Sequence, residues 1–324
     1  MRLTTAEKQE IIQLVERSEL GVNKTLNQLG INKSTFYKWY KIYLDKGSIG
    51  LEPKQDTRQR WNTIPQAEKN LVVEIALENT ELSPRELSCK LSDAKGIFIS
   101  ESSVYRILKA RGLITSPSHI LMAAGNEFSQ KTCFVNEMWQ TDFTYFKILG
   151  WGWYYLSTIL DDYSRYIVHW ELCKTMKTED VQRTVTCALE AAKLPKNYRP
   201  KLLADNGACY IASELKAFME DKKMKLIHGR PNHPQTQGKI ERYHRSMKNV
   251  VKLDNYYCPE ELEAALAEFV RYYNQERYHE SLGNVTPADV YYGRQEEILK
   301  YRERIKVLTM KRRRQDYLRH KIAS

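Results

Sequence analysis

The sequence of 324 residues contains no apolar run of the roughly 18 residues that a membrane helix requires. Its first ten residues, MRLTTAEKQE, lack the apolar core of a signal peptide. The six cysteines are scattered and form no CxxC pair, which argues against a Cys/His zinc site and for reduced thiols in a cytoplasm. Disorder is also excluded, because 42% of the residues are hydrophobic, enough for real cores. What the chain has in excess is positive charge. Lys and Arg number 51 against 40 Asp and Glu, a formal net charge of +11. A balance of that size points to a polyanionic partner, most often nucleic acid. The length favours two or three domains.

The first 50 residues read as short helices. Thr4 and Glu7 have capping-box spacing ahead of EIIQLVER, and Gly21 closes that helix. VNKTLNQL makes a second helix, Gly30 a tight turn, and KSTFYKWYKIYL a third, capped from Asn32 or Ser34. This is the helix-turn-helix pattern, although a plain three-helix bundle gives a similar one. Phe36, Trp39 and Tyr40 fall at i, i+3, i+4 and belong to a core. Lys33, Ser34, Thr35 and Lys38 are left to face a DNA groove. Residues 51–64 are polar, basic and unpatterned, a linker. A second helix-turn-helix spans 65–115. Ser83 as N-cap, Pro84 at N1 and Glu86 at N3 open one of its helices. Ser102, Ser103 and Arg106 lie near its reading face. Residues 116–134 form another linker.

From residue 135 the pattern changes to strands. MWQTDFTYFKIL alternates, and WYYLSTIL and RYIVHWEL flank a hairpin turn at Asp161–Ser164. The helix TEDVQRTVTCALEAAK, the strand KLLAD, the helix SELKAFMEDK and the strand MKLIHG follow. Three strands and then alternating helix and strand predict a mixed α/β sheet. A long amphipathic helix, PEELEAALAEFVRYYNQER, completes a domain ending near 298. Residues 299–324 read as a basic tail for DNA affinity or protomer contacts, or as a solvated tail with no role.

Asp142 sits mid-strand, where Asp is disfavoured. Asp205 ends a strand, at the carboxyl end where α/β folds place chemistry. Asp161 and Asp162 sit in a turn, where Asp belongs for ordinary structural reasons. Glu241 is the one acid in KIERYHRSMK, among Lys239, Arg242, Arg245 and Lys248, and 35 residues separate it from Asp205. On a helix, 241, 245 and 248 share a face.

These motifs, WQTDFT, DDYSR, ADNGACY, NHPQTQGKIERYHRSMK and RYYNQERYHESLGNVTPADVY, resemble those of the retroviral-integrase-like DDE recombinases, and among them the bacterial insertion-sequence transposases. The resemblance covers roughly residues 135–292. It implies a multi-domain chain: all-α tandem helix-turn-helix modules, then an α/β ribonuclease-H-like integrase core with a mixed sheet. It implies that Asp142, Asp205 and Glu241 are catalytic and bind two Mg²⁺ or Mn²⁺ ions. Three carboxylates are hard oxygen ligands suited to those ions. It further implies double-stranded DNA as partner, both terminal inverted repeats and target. A homodimer or larger assembly on DNA follows from the need to bring two ends together. A bacterial, nucleoid-associated location, with no membrane partner, also follows. Lys248 matches a basic DNA-contacting position of the family, and Lys239 and Arg245 extend the basic surface. Asn206 and Gln237 are further DNA-contact candidates. The polar run Pro231–Gly238 predicts a mobile loop over the site. The His/Cys zinc module of the retroviral relatives has no counterpart in this sequence.

Overall fold

Local caps set where the first helices begin. α1 (Thr5–Arg17) starts from a capping box in which Glu7 N donates to Thr4 Oγ1 at 3.3 Å and Thr4 N donates to Glu7 Oε2 at 2.6 Å. It stops at Arg17, with Ser18 as C-cap, and Gly21 instead precedes α2 (Val22–Gln28). Gly30, at φ +66°, makes the turn into α3 (Lys33–Gly50), where the Asn32 side chain accepts from Ser34 N at 3.0 Å. Ile12, Val15, Leu26 and Phe36 form the core, with Trp39 and Tyr40 packed against it. The computed structural model describes residues 4–18, 20–52, 60–114, 132–229, 237–251 and 256–323. Half of the predicted linker 51–64 and most of the linker 116–134 lie outside the described residues.

Met1–Trp61 forms one compact unit and Asn62–Ser324 another. The second begins with α4 (Gln66–Glu78), α5 (Pro84–Lys95) and α6 (Glu101–Ala110). Ser83 and Glu86 make the predicted capping box, and left-handed Gly96 (φ +62°) ends α5. Val72, Ile75, Leu87, Leu91, Ile99, Val104 and Leu108 fill the space between these helices.

The sheet follows, with β1 (Met138–Ile148), β2 (Gly152–Asp161) and β3 (Ile167–Cys173) as an antiparallel meander. After α7 (Thr178–Ala192) comes β4 (Lys201–Ala204), then α8 (Ala208–Ile211), α9 (Ser213–Asp221) and β5 (Leu226–His228). β4 lies parallel to β1 and β5 parallel to β4, giving the order β3-β2-β1-β4-β5. Alternation along β1 decides what each face meets. Trp139 points to a core with Val181, Val185, Tyr210 and Leu215. Phe146 and Ile148 point to the opposite core, formed with α10 (Gly238–Val251) and α11 (Pro259–Gln275). The domain is therefore a mixed sheet between two helical layers, the predicted ribonuclease-H-like arrangement.

A 3₁₀ turn at Glu280–Leu282 and α12 (Pro287–Tyr291) lead into α13 (Gln295–Ala323). Here the structure departs from the reading of residues 299–324 as a tail. They belong to one long helix that packs on the second helical module. Arg302 donates to Asp93 at 2.7 and 2.6 Å. Arg312 and Arg313 each reach Glu68 at 2.6 Å, and Arg313 also donates to Phe98 O at 3.0 Å. Phe98 N donates to Thr309 Oγ1 at 3.2 Å. Glu68 and Arg313 keep only 8% and 6% of their side-chain surface. Three of the segment's cations are thus engaged by carboxylates of the second helical module.

Candidate active site: a carboxylate cleft at the sheet edge

The site is built from the start of α10. The first backbone N–H groups of a helix have no partner within it. Here Ile240 N donates to Gln140 Oε1 at 3.1 Å, across from β1. Gln140 in turn donates through Nε2 to Asp162 Oδ1 at 2.7 Å. Lys239 Nζ reaches Asp162 Oδ2 at 2.6 Å and its carbonyl at 3.0 Å. Gln237 Nε2 lies 3.4 Å from Thr141 O. These contacts fix the first turn of α10 against β1, with Glu241 beside it.

Asp142 projects from β1 on the α10 face and is partly exposed, with Oδ1 accepting from Phe143 N at 2.8 Å. Beyond Gln140, no described strand pairs with the outer edge of β1, because β4 covers only Met138 to Gln140. An open cleft of about 420 Å³ runs along that edge. Asp142, Glu241, His244, Arg245 and Lys248 line it together, with Tyr145 further along the strand. Glu241 and Arg245 are exposed, and Lys248 is half-buried with its ammonium 4.7 Å from the centre of the Tyr145 ring. The predicted helical face is thus the face that lines the cleft.

Asp205 does not line that cleft. It stands exposed at the carboxyl end of β4, with Oδ1 accepting from Gly207 N at 2.9 Å. Continuing the parallel β1–β4 register past Gln140 and Leu203 sets Asp205 level with Asp142. Cys209 reports the same proximity. Burial, and then the charges of Asp205 and Asp142, push its thiol up to about 11. Asn206 donates to Gly229 O at 3.1 Å, and His228 Nδ1 lies 3.1 Å from Asp205 O, so the loop after β4 is tied to the end of β5. Asn206 is exposed, whereas Gln237 is 7% exposed and turned inward.

Two further placements bear on the sequence reading. Asp161 and Asp162 are buried and hold the β2–β3 turn. Asp161 accepts from Asn136 N, Ser164 N and Ser164 Oγ at 2.6–2.8 Å, while burial pushes its carboxyl up to about 6. Asp162 accepts from Gln140, Thr132 and Lys239. Lys239 is therefore turned into the protein, only 18% exposed. The other placement is His244, which the sequence reading passed over. It is 5% exposed, with Nδ1 3.3 Å from Asp142 Oδ2 and Nε2 without a partner among the described residues. Its spacing of three from Glu241 was the available signal. In the helical modules, Lys33, Ser34, Lys38, Ser102 and Arg106 are exposed, and Thr35 and Ser103 half-buried. Arg106 Nε donates to Ser102 O at 3.0 Å. The predicted loop over the site, Pro231–Gly238, lies outside the described residues except for Gln237 and Gly238.

Hard divalent cations take carboxylate oxygens. Two such side chains open into one cleft and a third stands level with the first, so the donor chemistry fits. Among the described residues, no three His, Cys, Asp or Glu side chains are drawn close enough together to enclose an ion. Asp205 stands outside the cleft that Asp142 and Glu241 line. No helix among the described residues is long and apolar enough to cross a membrane.

Family models place these features among known proteins. An integrase core domain model matches residues 135–234, and a second integrase core model matches 222–287. A homeodomain-like domain model matches residues 35–108. The transposase for transposon Tn552 of Staphylococcus aureus is 22% identical over 298 residues, 84% of this chain and 61% of that protein. This chain thus spans about three fifths of the length of that relative. The Gag-Pro-Pol polyprotein of simian retrovirus SRV-2 is 29% identical over 117 residues, 36% of this chain and 6% of the polyprotein. Among solved structures, a simian T-cell lymphotropic virus intasome superposes with a TM-score of 0.45 at 18% identity, covering 68% of this chain and 74% of that one. Residues 135–287 thus match integrase core domain models, and over that region the chain is similar to a transposase and to retroviral polyproteins.

Proposed function

We propose that the protein is a DNA transposase that binds the terminal inverted repeats of a mobile element, nicks DNA and joins the 3′ ends to target DNA. The observation that carries this reading is the convergence of Asp142, Glu241, Arg245 and Lys248 in one open cleft of an integrase core. The cleft sets Glu241 beside two cations on one face of α10, with the Asp142 carboxylate facing them from β1. A phosphodiester needs both: carboxylates to hold divalent cations, and ammonium or guanidinium groups to hold the flanking phosphates.

Asp142, Asp205 and Glu241 would hold two Mg²⁺ or Mn²⁺ ions, which supply charge neutralisation at the attacking and leaving oxygens of an in-line displacement. Arg245 and Lys248, one and two turns along α10 from Glu241, would grip the strand on either side of the reacting phosphate. His244 is a positioning residue. From beneath the cleft it limits the rotation of the Asp142 carboxylate, whose Oδ2 lies 3.3 Å away. Exposed Lys33, Ser34, Lys38, Ser102 and Arg106 would contact the repeat DNA. Two ends must meet for transposition, so the active form would be a dimer or larger assembly on DNA.

The test is a strand-transfer assay on a labelled oligonucleotide carrying the short inverted repeats that flank the gene. Mg²⁺ or Mn²⁺ should support joining and EDTA should abolish it. Asp142→Asn, Asp205→Asn and Glu241→Gln should each abolish nicking and joining while leaving repeat binding largely intact. Joining near the wild-type rate by any of the three sinks the proposal.

A further inference from the structure

α10 carries cations on two faces, and the carboxylate cleft uses one of them. Lys239, Arg242 and Ser246 lie roughly 120° round the helix from Glu241, Arg245 and Lys248, at about 100° per residue. They line a separate pocket of about 750 Å³ between the core and the second helical module. On the core side, Arg165 joins from the β2–β3 turn, and Tyr273 and Arg277 from the end of α11 and just beyond it. On the module side, Arg85 and Glu101 join from the first turns of α5 and α6.

The charges of this pocket are sorted. Its acids are occupied: Arg85 pairs with Glu101 at 3.2 Å and also with Glu280, and the Glu86 carboxylate accepts from Ser83 N and Oγ at 2.8 and 2.7 Å. Exposed Arg242 and half-buried Arg277 have no carboxylate within ion-pair distance among the described residues. Arg277 lies over the Tyr273 ring, 5.6 Å from its centre, and Tyr273 is itself buried, so the guanidinium is held at the pocket wall. The Arg165 guanidinium donates to the Asp162 carbonyl close by. His279, which also lines the pocket, registers all three cations: after burial, the charges of Arg277, Arg165 and Arg242 keep its imidazole neutral. Like charges gathered in this way repel one another and favour an anion between them. A guanidinium presents paired N–H donors that match the oxygens of a phosphate.

Position decides which phosphate. On α6, Glu101 at the pocket precedes exposed Ser102 and Arg106, which face away from the module's core. A DNA backbone that reaches α10 from α6 meets the pocket, because both helices line it. We propose that Arg242 and Arg277, with Arg165 beside them, hold one backbone phosphate of the duplex engaged by the second helical module, at a face of α10 separate from the carboxylate cleft. This phosphate is gripped and not cut, and it fixes the angle at which the duplex enters the core. The proposal rests on the reading of DNA as the partner and is independent of nicking and joining.

The experiment uses the full chain and a duplex carrying the inverted repeats that flank the gene. Arg242→Gln/Arg277→Gln should lower the salt slope of binding by roughly 1, as for one lost phosphate contact. At about 0.1 M salt it should weaken binding about 8-fold, since each contact weights affinity by roughly the −0.9 power of the salt concentration. Arg242→Lys/Arg277→Lys, which keeps both charges, should keep the slope. Arg277 packs on a buried ring, so Arg242→Gln alone, at an exposed position, decides the matter where Arg277→Gln is unstable. Single neutral methylphosphonate linkages are then placed in turn along each strand. One linkage should cost wild type about the same factor, and that same linkage should cost Arg242→Gln and Arg277→Gln less, because both arginines meet on one phosphate. A wild-type slope in the glutamine variants, or different linkages for the two single variants, overturns the pocket even if joining is robust. Competition by inorganic phosphate that the variants lose while the duplex slope holds also overturns it, and leaves a free-anion site only. A change in sedimentation of Arg242→Gln without DNA, with the slope unaltered, overturns it and assigns the arginines to contacts between copies of the chain. A lower slope with one shared linkage, but no nicking or joining on any DNA, leaves the pocket standing and overturns the transposase reading.

Discussion

Lys239 is the residue for which sequence and structure give opposite expectations. As one cation in a basic stretch beside Glu241, it reads as a phosphate contact. In the fold its ammonium lies 2.6 Å from Asp162 Oδ2 and 3.0 Å from the Asp162 carbonyl, with side-chain exposures of 18% and 4% for the pair. Lys239→Met leaves the Asp162 carboxylate buried without its cation. Removing one partner of such a pair costs about 3–5 kcal/mol, because the remaining charge stays desolvated. Asp162 keeps Gln140 and Thr132 as donors, at 2.7 and 2.6 Å, and Lys239 retains some exposure, so the loss belongs at the lower end, about 3 kcal/mol. At roughly 2–3 kcal/mol per molar urea, the unfolding midpoint of this unit should fall by about 1 M or more. The double variant Lys239→Met/Asp162→Leu should recover much of that loss, since no charge is then left alone. Joining should drop in the single variant as the first turn of α10 loosens under Glu241. The salt slope of DNA binding should stay as in wild type, because no phosphate contact is removed. An unchanged urea midpoint together with a salt slope lower by roughly 1 would refute this reasoning and return Lys239 to the DNA surface.

Three other outcomes follow from particular contacts. Gly207→Ala places a Cβ 3.0 Å from Asp205 Oδ1 at a φ of −63° that alanine accepts, so joining should fall while the melting temperature holds; a matching loss of both would show a folding defect instead. Burial, with the charges of Arg277, Arg165 and Arg242, holds the His279 imidazole down to about 3. Between pH 6.5 and 3 the unfolded chain takes up a proton that the folded chain refuses, so stability should be lost as pH falls through that window, and His279→Gln should flatten the dependence of the urea midpoint on pH. Identical pH profiles for the two proteins would contradict that assignment. Glu68→Ala strands Arg313 at 6% exposure and should destabilise the α13 contact by about 3–5 kcal/mol, read as faster amide exchange in α4 and α13; unchanged exchange would mean that the helix is held by other contacts.

Sequence alone determined the features that depend on near neighbours. The capping boxes at Thr4 and Ser83, the alternation of β1 and, apart from the short α8, the order of strands and helices through Gln275 are local, and each is readable where it stands. The stripe Glu241, Arg245, Lys248 was equally legible, because helical period fixes a shared face before any packing. Direction and partner were not local, and tertiary structure decided them. Gln237 and Lys239 lie in the same polar, basic stretch as Arg245, yet they turn inward because acceptors on Thr141 and Asp162, 96 and 77 residues away in sequence, lie there. Asp142 and Glu241 share a cleft only because β4 is too short to cover the edge of β1, and His244 gains its place under Asp142 from the same arrangement. α13 escaped the sequence reading for a related reason. Its inward stripe, half-buried Arg302 and Ile305 and buried Thr309 and Arg313, has no apolar period, and the carboxylates that pair with those arginines, Asp93 and Glu68, lie more than 200 residues earlier in the chain.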